Sequence, residues 1–98
     1  MSDADVVILF HRGYKTLAFD VLVHKECEDI FKKYQKDLYD ADCPFVEEFL
    51  ESHEGYVYIG SEDFAHVTGN DYIIRVINDI LQTAQLNDLR VEMRYMYG

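Results

Sequence analysis

The chain has 98 residues, of which 49% are hydrophobic and 14% aromatic, with one proline and five glycines. This composition excludes a disordered or low-complexity chain and predicts a single domain spanning residues 1–98. No apolar run approaches the roughly 20 residues of a membrane-spanning helix, and the acidic N-terminus is unlike a secretion signal. Two cysteines are too few for a disulfide scaffold, which favours a reducing, cytoplasmic setting. Nineteen acidic residues against nine basic ones give a net charge of −10.

The N-terminal part of the chain predicts a hairpin followed by a helix. Residues 6–11 and 16–24 are rich in β-branched and aromatic side chains, and a turn sequence separates them. The first strand is apolar on both faces, so we expect it to lie in the middle of a sheet. From Lys25 the apolar period becomes helical, which predicts a helix over residues 25–39. Its buried stripe is Cys27, Ile30, Phe31, Tyr34 and Leu38.

A second, short helix is predicted after a break in this pattern. Asp42 or Cys43 is its expected cap, and Pro44 lies in the first turn, where a missing N–H costs nothing. Gly55 ends the helix. A short strand at residues 56–59 follows, closed by a glycine.

The C-terminal part predicts one more helix and one more strand. Ser61 is a possible cap for a turn in the connection at residues 61–69, and Asn70 is the expected cap of the strongest helix in the chain. Residues 89–97 alternate between two faces, which predicts a strand that ends at a sheet edge. Three of its side chains are expected to be buried: Val91, Met93 and Tyr95. The buried stripe of the helix is Ile73, Val76, Ile77, Ile80, Leu81 and Ala84.

Together these elements predict an α+β domain in the order ββααβαβ. We expect two layers, in which three helices pack on one face of a mostly antiparallel four-stranded sheet. The order of the strands in the sheet is not specified by the sequence.

The acidic residues are concentrated in one segment of the chain. Residues 25–54 carry ten acids and four bases, a net charge of −6, and no lysine or arginine follows Lys36 within this segment. Such a block, together with tyrosine, is typical of a surface that binds a basic protein. The candidate partner-binding residues are Asp37, Tyr39, Asp40, Asp42, Glu47, Glu48, Glu51 and Glu54. An acidic coat that only maintains solubility is the competing interpretation.

Sites with other chemistry are less well supported by the sequence. His24 and Cys27 have an H-x-x-C spacing, but Cys27 lies on an apolar stripe, and no metal or other cofactor is predicted. Cys43 lies at a helix start, yet the neighbouring acids are expected to raise its pKa and to disfavour a reactive thiolate. Residues 61–71 contain a possible carboxylate site formed by Glu62, Asp63, His66 and Asp71. Direct nucleic-acid binding is disfavoured by the excess of acids.

The leading hypothesis is a non-enzymatic protein that blocks the basic surface of a nuclease or another nucleic-acid-binding protein, as a nucleic-acid mimic of the inhibitor, immunity or anti-defence type. The final strand, loop, helix and strand, preceded by an acidic helix pair, resemble the architecture of small acidic nuclease inhibitors of the barstar kind. This chain adds an N-terminal hairpin to that architecture. One alternative is a small assembly subunit that forms a homodimer by pairing of the C-terminal edge strand. The other is a small enzyme that uses residues 61–71.

Overall fold

The computed structural model describes residues 4–12, 17–41, 43–63 and 71–96. They form an α+β domain with a four-stranded sheet and three helices in the predicted order. The strands are β1 (Val6–Arg12), β2 (Leu17–His24), β3 (Tyr56–Asp63) and β4 (Val91–Met96). The predicted capping residues Asp42 and Asn70 lie outside the described residues.

The helical segments follow the predicted apolar stripes. A first helical segment combines a 3₁₀ turn at Lys25–Cys27, the helix α1 at Glu28–Phe31 and a second 3₁₀ turn at Lys32–Lys36. The prediction of one regular helix over residues 25–39 is therefore wrong in length and regularity. The segment changes from 3₁₀ to α after Cys27 and back to 3₁₀ after Phe31, and both of these residues are buried. The other helices are α2 (Pro44–Ser52) and α3 (Asp71–Leu86).

The strands are arranged in the order β3-β2-β1-β4. The pairs β1–β2 and β2–β3 are antiparallel, and β1–β4 is parallel, so the sheet is mixed but mostly antiparallel. The expected central position of β1 and the expected edge position of β4 are confirmed. Among the described residues, no helix is both long enough and apolar enough to span a lipid bilayer.

Helices cover both faces of the sheet, which corrects the prediction of two layers with all helices on one face. The first helical segment and α3 pack on one face, against Val6, Ile8 and Phe19. The helix α2 packs on the opposite face, against Val7 and Leu9. Because β1 is apolar on both sides, its second face also has to be removed from water, and α2 provides that cover.

The ends of the two edge strands differ from the prediction. The strand β3 continues through Gly60 to Asp63, so Ser61 is a strand residue and not a helix cap. In β4, Val91 packs against the core, but Met93 is 50% exposed and Tyr95 52% exposed. The expected burial of these two side chains is therefore wrong, because β4 lies at the sheet edge, where the helix layer does not cover them.

Gly60 allows the chain to cover part of the exposed edge of β3. The backbone of Tyr39 exchanges two hydrogen bonds with Ser61, at 2.8 and 2.9 Å. A Cβ atom at position 60 would lie only 2.6 Å from the Cβ of Leu38. The residues 38–39 can therefore approach β3 this closely only where the strand has no side chain.

We expect Gly60→Ala to lower the free energy of unfolding by about 1–3 kcal/mol, because the added methyl overlaps the fixed Cβ of Leu38. Urea denaturation measures the change. Glu54→Ala, which removes an exposed side chain next to the same strand, serves as the control and should change stability by less than about 0.5 kcal/mol. Equal stability of Gly60→Ala and the wild type would contradict this role of the glycine.

Candidate functional site

The structure distributes the predicted partner-binding acids over separate surfaces, and Asp37 lines a groove together with Lys33 and Lys36. Asp40 and Glu47 line one groove together. Glu48 and Glu51 lie on the exposed side of α2, and Glu54 is exposed after the helix ends. Asp42 lies outside the described residues.

The groove between Asp40 and Glu47 has a volume of about 330 Å³ and an apolar floor. Its lining comes from the connection before α2, from α2 itself and from β3: Asp40, Ala41, Cys43, Val46, Glu47, Leu50 and Tyr58. We refer to these residues as the acidic groove. A second groove of about 260 Å³ shares Asp40 and Tyr58 with it and is also lined by Tyr39. Among the described residues, neither groove is lined by a lysine or an arginine.

Tyr58 links the acidic groove to the interior of the protein through hydrogen bonds. Its hydroxyl accepts the N–H of Ala41 at 3.0 Å and donates to the hydroxyl of Ser61. Ser61 in turn donates to Oδ1 of Asp20, a carboxylate that is only 1% exposed. The network fixes the tyrosine ring that forms the wall shared by the two grooves.

Tyr39, which lines the second groove, and Tyr72 on α3 both lie close to carboxylates. Burial, together with the nearby carboxylates of Asp63 and Glu62, raises the pKa of Tyr39 to about 12. Burial also raises the pKa of Tyr72, assisted by Asp37, and this tyrosine donates hydrogen bonds to the carbonyl and carboxylate oxygens of Asp37. The carboxylate of Glu62 contributes to the raised pKa of both tyrosines.

A buried cluster lies on the same face of the sheet as α2. Nε2 of His11 is 2.8 Å from Oδ2 of Asp20, and Sγ of Cys43 is 3.6 Å from Nε2 and 3.7 Å from the same carboxylate oxygen. His11 and Asp20 are diagonal neighbours on the paired strands β1 and β2, and Cys43 is the N-cap residue of α2. Neither ring nitrogen of His11 is free, because Nδ1 lies 3.3 Å from the carbonyl oxygen of Arg12.

This cluster does not have the geometry of a catalytic triad. In a triad the acid binds one ring nitrogen and the nucleophile approaches the other. Here Asp20 and Cys43 both face Nε2 of His11. Burial raises the pKa of the Cys43 thiol, and Asp20 raises it further, against the opposite effect of the amides of Phe45 and Val46. The predicted direction of this shift is confirmed, although its main causes are burial and Asp20, not the neighbouring acids in the sequence.

The buried cluster was missed by the sequence interpretation because its members are far apart in the chain. A histidine and an aspartate at inward positions of two apolar strands were the available signal, since buried polar groups need partners. His24 and Cys27, for which the sequence predicts no metal site despite their H-x-x-C spacing, do not belong to this cluster. In the proposed carboxylate site, Glu62 and Asp63 are strand residues, and His66 lies outside the described residues.

Comparison with protein-family models, with curated proteins and with solved structures found no match to this chain. The function is therefore inferred from the charge, shape and contacts of the chain itself.

We expect Asp20→Ala to lower the free energy of unfolding by about 3–5 kcal/mol, because it leaves buried groups of His11 and Ser61 without their acceptor. Asp29→Ala is the control, since it breaks a strongly exposed ion pair with Lys32 and should leave stability almost unchanged. Chemical denaturation of the two variants measures the difference. Similar free energies of unfolding for the Asp20→Ala and Asp29→Ala variants would show that the contacts of the Asp20 carboxylate do not stabilise the fold.

Proposed function

We propose that this protein is a non-enzymatic binding domain that occupies a basic, nucleic-acid-binding surface of a partner protein, such as a nuclease. The acidic groove supports this proposal. Two carboxylates, Asp40 and Glu47, flank an apolar floor that is walled by Tyr58.

A groove of this kind suits the side chain of an arginine or a lysine. The aliphatic stem of such a side chain packs on apolar surface while its charged end stays near carboxylates. Val46 and Leu50 provide the apolar surface, Asp40 and Glu47 provide the charge, and an aromatic ring adds a favourable contact with a guanidinium group. Tyr39, 41% exposed beside the second groove, extends the same surface.

The charge balance favours a protein partner over nucleic acid itself. Phosphates would meet a chain of net charge −10 whose grooves present carboxylates, and repulsion would oppose their binding. Basic residues of a nucleic-acid-binding protein carry the complementary charge, so this domain competes with the phosphates for them. We place the protein in the cytoplasm, in line with its two free cysteines, which lie in core clusters on opposite faces of the sheet.

We expect the double reversal Asp40→Lys with Glu47→Lys to slow association with a basic partner about tenfold or more at low salt, because exposed charges steer the encounter. The first probe is an arginine-rich peptide. The second probe is any protein that this domain retains from a cytoplasmic lysate and that added DNA or RNA displaces. Association kinetics are measured at two salt concentrations, and the effect should shrink at the higher one.

The matched control is Glu26→Lys with Asp29→Lys, which changes the net charge by the same amount on the exposed side of the first helical segment. Glu48→Lys with Glu51→Lys tests the outer surface of α2 separately. Melting curves verify that all variants fold. Equal losses in the groove and control variants would show that only total charge matters, and the proposed binding surface would be wrong.

The second candidate function is assembly through β4, and the exposed side chains of this edge strand favour it. Met93 and Tyr95 are half exposed on one face of the strand, and Glu92 and Arg94 alternate with them. If two copies of β4 pair antiparallel about Met93, Glu92 of each copy lies opposite Arg94 of the other. Such a pair is complementary in charge as well as in backbone hydrogen bonds.

For this candidate we expect a sedimentation mass of two chains at high micromolar concentration and of one chain for Met93→Lys, which places equal charges opposite each other. Leu86→Lys, at an exposed position on α3, is the control and should remain dimeric. Asp40→Lys with Glu47→Lys weakens the groove interaction and should leave the sedimentation mass unchanged, which separates the two functions. A wild-type mass of one chain would exclude the assembly subunit.

A further inference from the structure

The buried cluster contains three of the side-chain types that bind zinc in proteins: a histidine, an aspartate and a cysteine. Zinc bonds of about 2.0–2.3 Å at tetrahedral angles place the ligand atoms roughly 3.4–3.6 Å apart. The two distances to Sγ of Cys43 are 3.6 and 3.7 Å. The third, 2.8 Å between His11 and Asp20, is that of a direct hydrogen bond and has to widen by about 0.6 Å.

We propose that Nε2 of His11, Oδ2 of Asp20 and Sγ of Cys43 form a Zn²⁺ site that joins β1 and β2 to the start of α2.

The geometry of the cluster agrees with a cation at this place. Nδ1 of His11 faces the carbonyl oxygen of Arg12, and Nε2 is directed at a carboxylate oxygen and a sulfur atom. Zinc binds a neutral imidazole and a thiolate, so its binding would release to solvent the thiol proton and any proton held on Nε2.

Groups outside the three ligands hold them in place, as partners of ligands do in metal sites. The carbonyl of Arg12 orients the imidazole through Nδ1. Ser61 donates to Oδ1 of Asp20, which leaves Oδ2 directed at the other two ligands.

The acidic groove provides access to the site. Cys43 is part of the groove lining, so one of the three ligands lies at its surface. Three protein ligands leave the fourth position of a tetrahedral zinc ion to an external group, as in sites that remain open. The negative potential of Asp40 and Glu47 at the groove favours the approach of a cation.

The test is metal titration of the intact protein after chelator treatment. With Zn²⁺, native mass spectrometry should show one ion per chain. With Co²⁺ as a spectroscopic probe, a charge-transfer band from thiolate to cobalt and strong visible bands of tetrahedral cobalt should appear together. Failure of the folded wild type to bind either ion stoichiometrically overturns the proposal.

Variants identify the residues that bind the metal. Cys43→Ala should abolish the charge-transfer band and weaken zinc binding at least about 100-fold, a larger effect than the loss of an outer partner. Ser61→Ala should weaken it about 10–100-fold. Cys27→Ala is the matched control, because Cys27 is the other buried free cysteine and lies on the opposite face of the sheet.

Melting curves without metal establish which variants are folded. If Cys43→Ala does not fold, the cobalt spectrum of the wild type and of Cys27→Ala decides the question, since these proteins keep the proposed ligands. A further outcome is adventitious zinc only: the wild type and Cys43→Ala bind zinc equally, and cobalt gives no charge-transfer band. This outcome overturns the proposal. Loss of the band in Cys27→Ala likewise overturns it.

Discussion

Asp20 is a carboxylate in the interior of a sheet, and a charge in that position is stable only where neighbouring groups compensate it. The compensation comes from separate elements: His11 on β1, Ser61 on β3 and the N-cap residue Cys43 of α2. The same contacts therefore fix the position of α2 over the second face of the sheet. Because Ser61 also holds Tyr58, the wall of the acidic groove depends on the buried carboxylate as well.

The parts of the fold that follow from local periodicity could be predicted from the sequence. The stripe of α3 and the apolar alternation of β1 specify which side chains are buried, since each element has to cover its apolar face. The side of the sheet taken by α2 could not be predicted, because β1 is apolar on both faces and the buried partners of Cys43, His11 and Asp20, are distant from it in the chain. The exposure of Met93 could not be predicted either, because it depends on the position of β4 at the edge of the folded sheet.

The candidate sites illustrate the same division. The acidic block is a local feature, and its residues were identified from the sequence, but only the fold separates Asp40 and Glu47 from Glu48 and Glu51. The buried cluster is non-local, because His11 and Cys43 are separated by 32 positions and meet only after α2 has docked. Sequence motifs for metal sites are defined by ligands that lie close together in the chain, so they do not identify this arrangement.

The parallel pairing of β1 with β4 has a consequence for how the protein folds. Val6 pairs with Val91, so the contact closes a loop that contains almost the whole chain. The hairpin of β1 and β2 needs only a short loop, and the entropy of closing it is correspondingly small. We therefore infer that hairpin formation precedes the addition of β4, and that the edge of β1 that pairs with β4 stays unpaired until then. Until β4 is added, β1 exposes an apolar strand edge that other unfolded chains can bind, so the partly folded protein is the form most exposed to association.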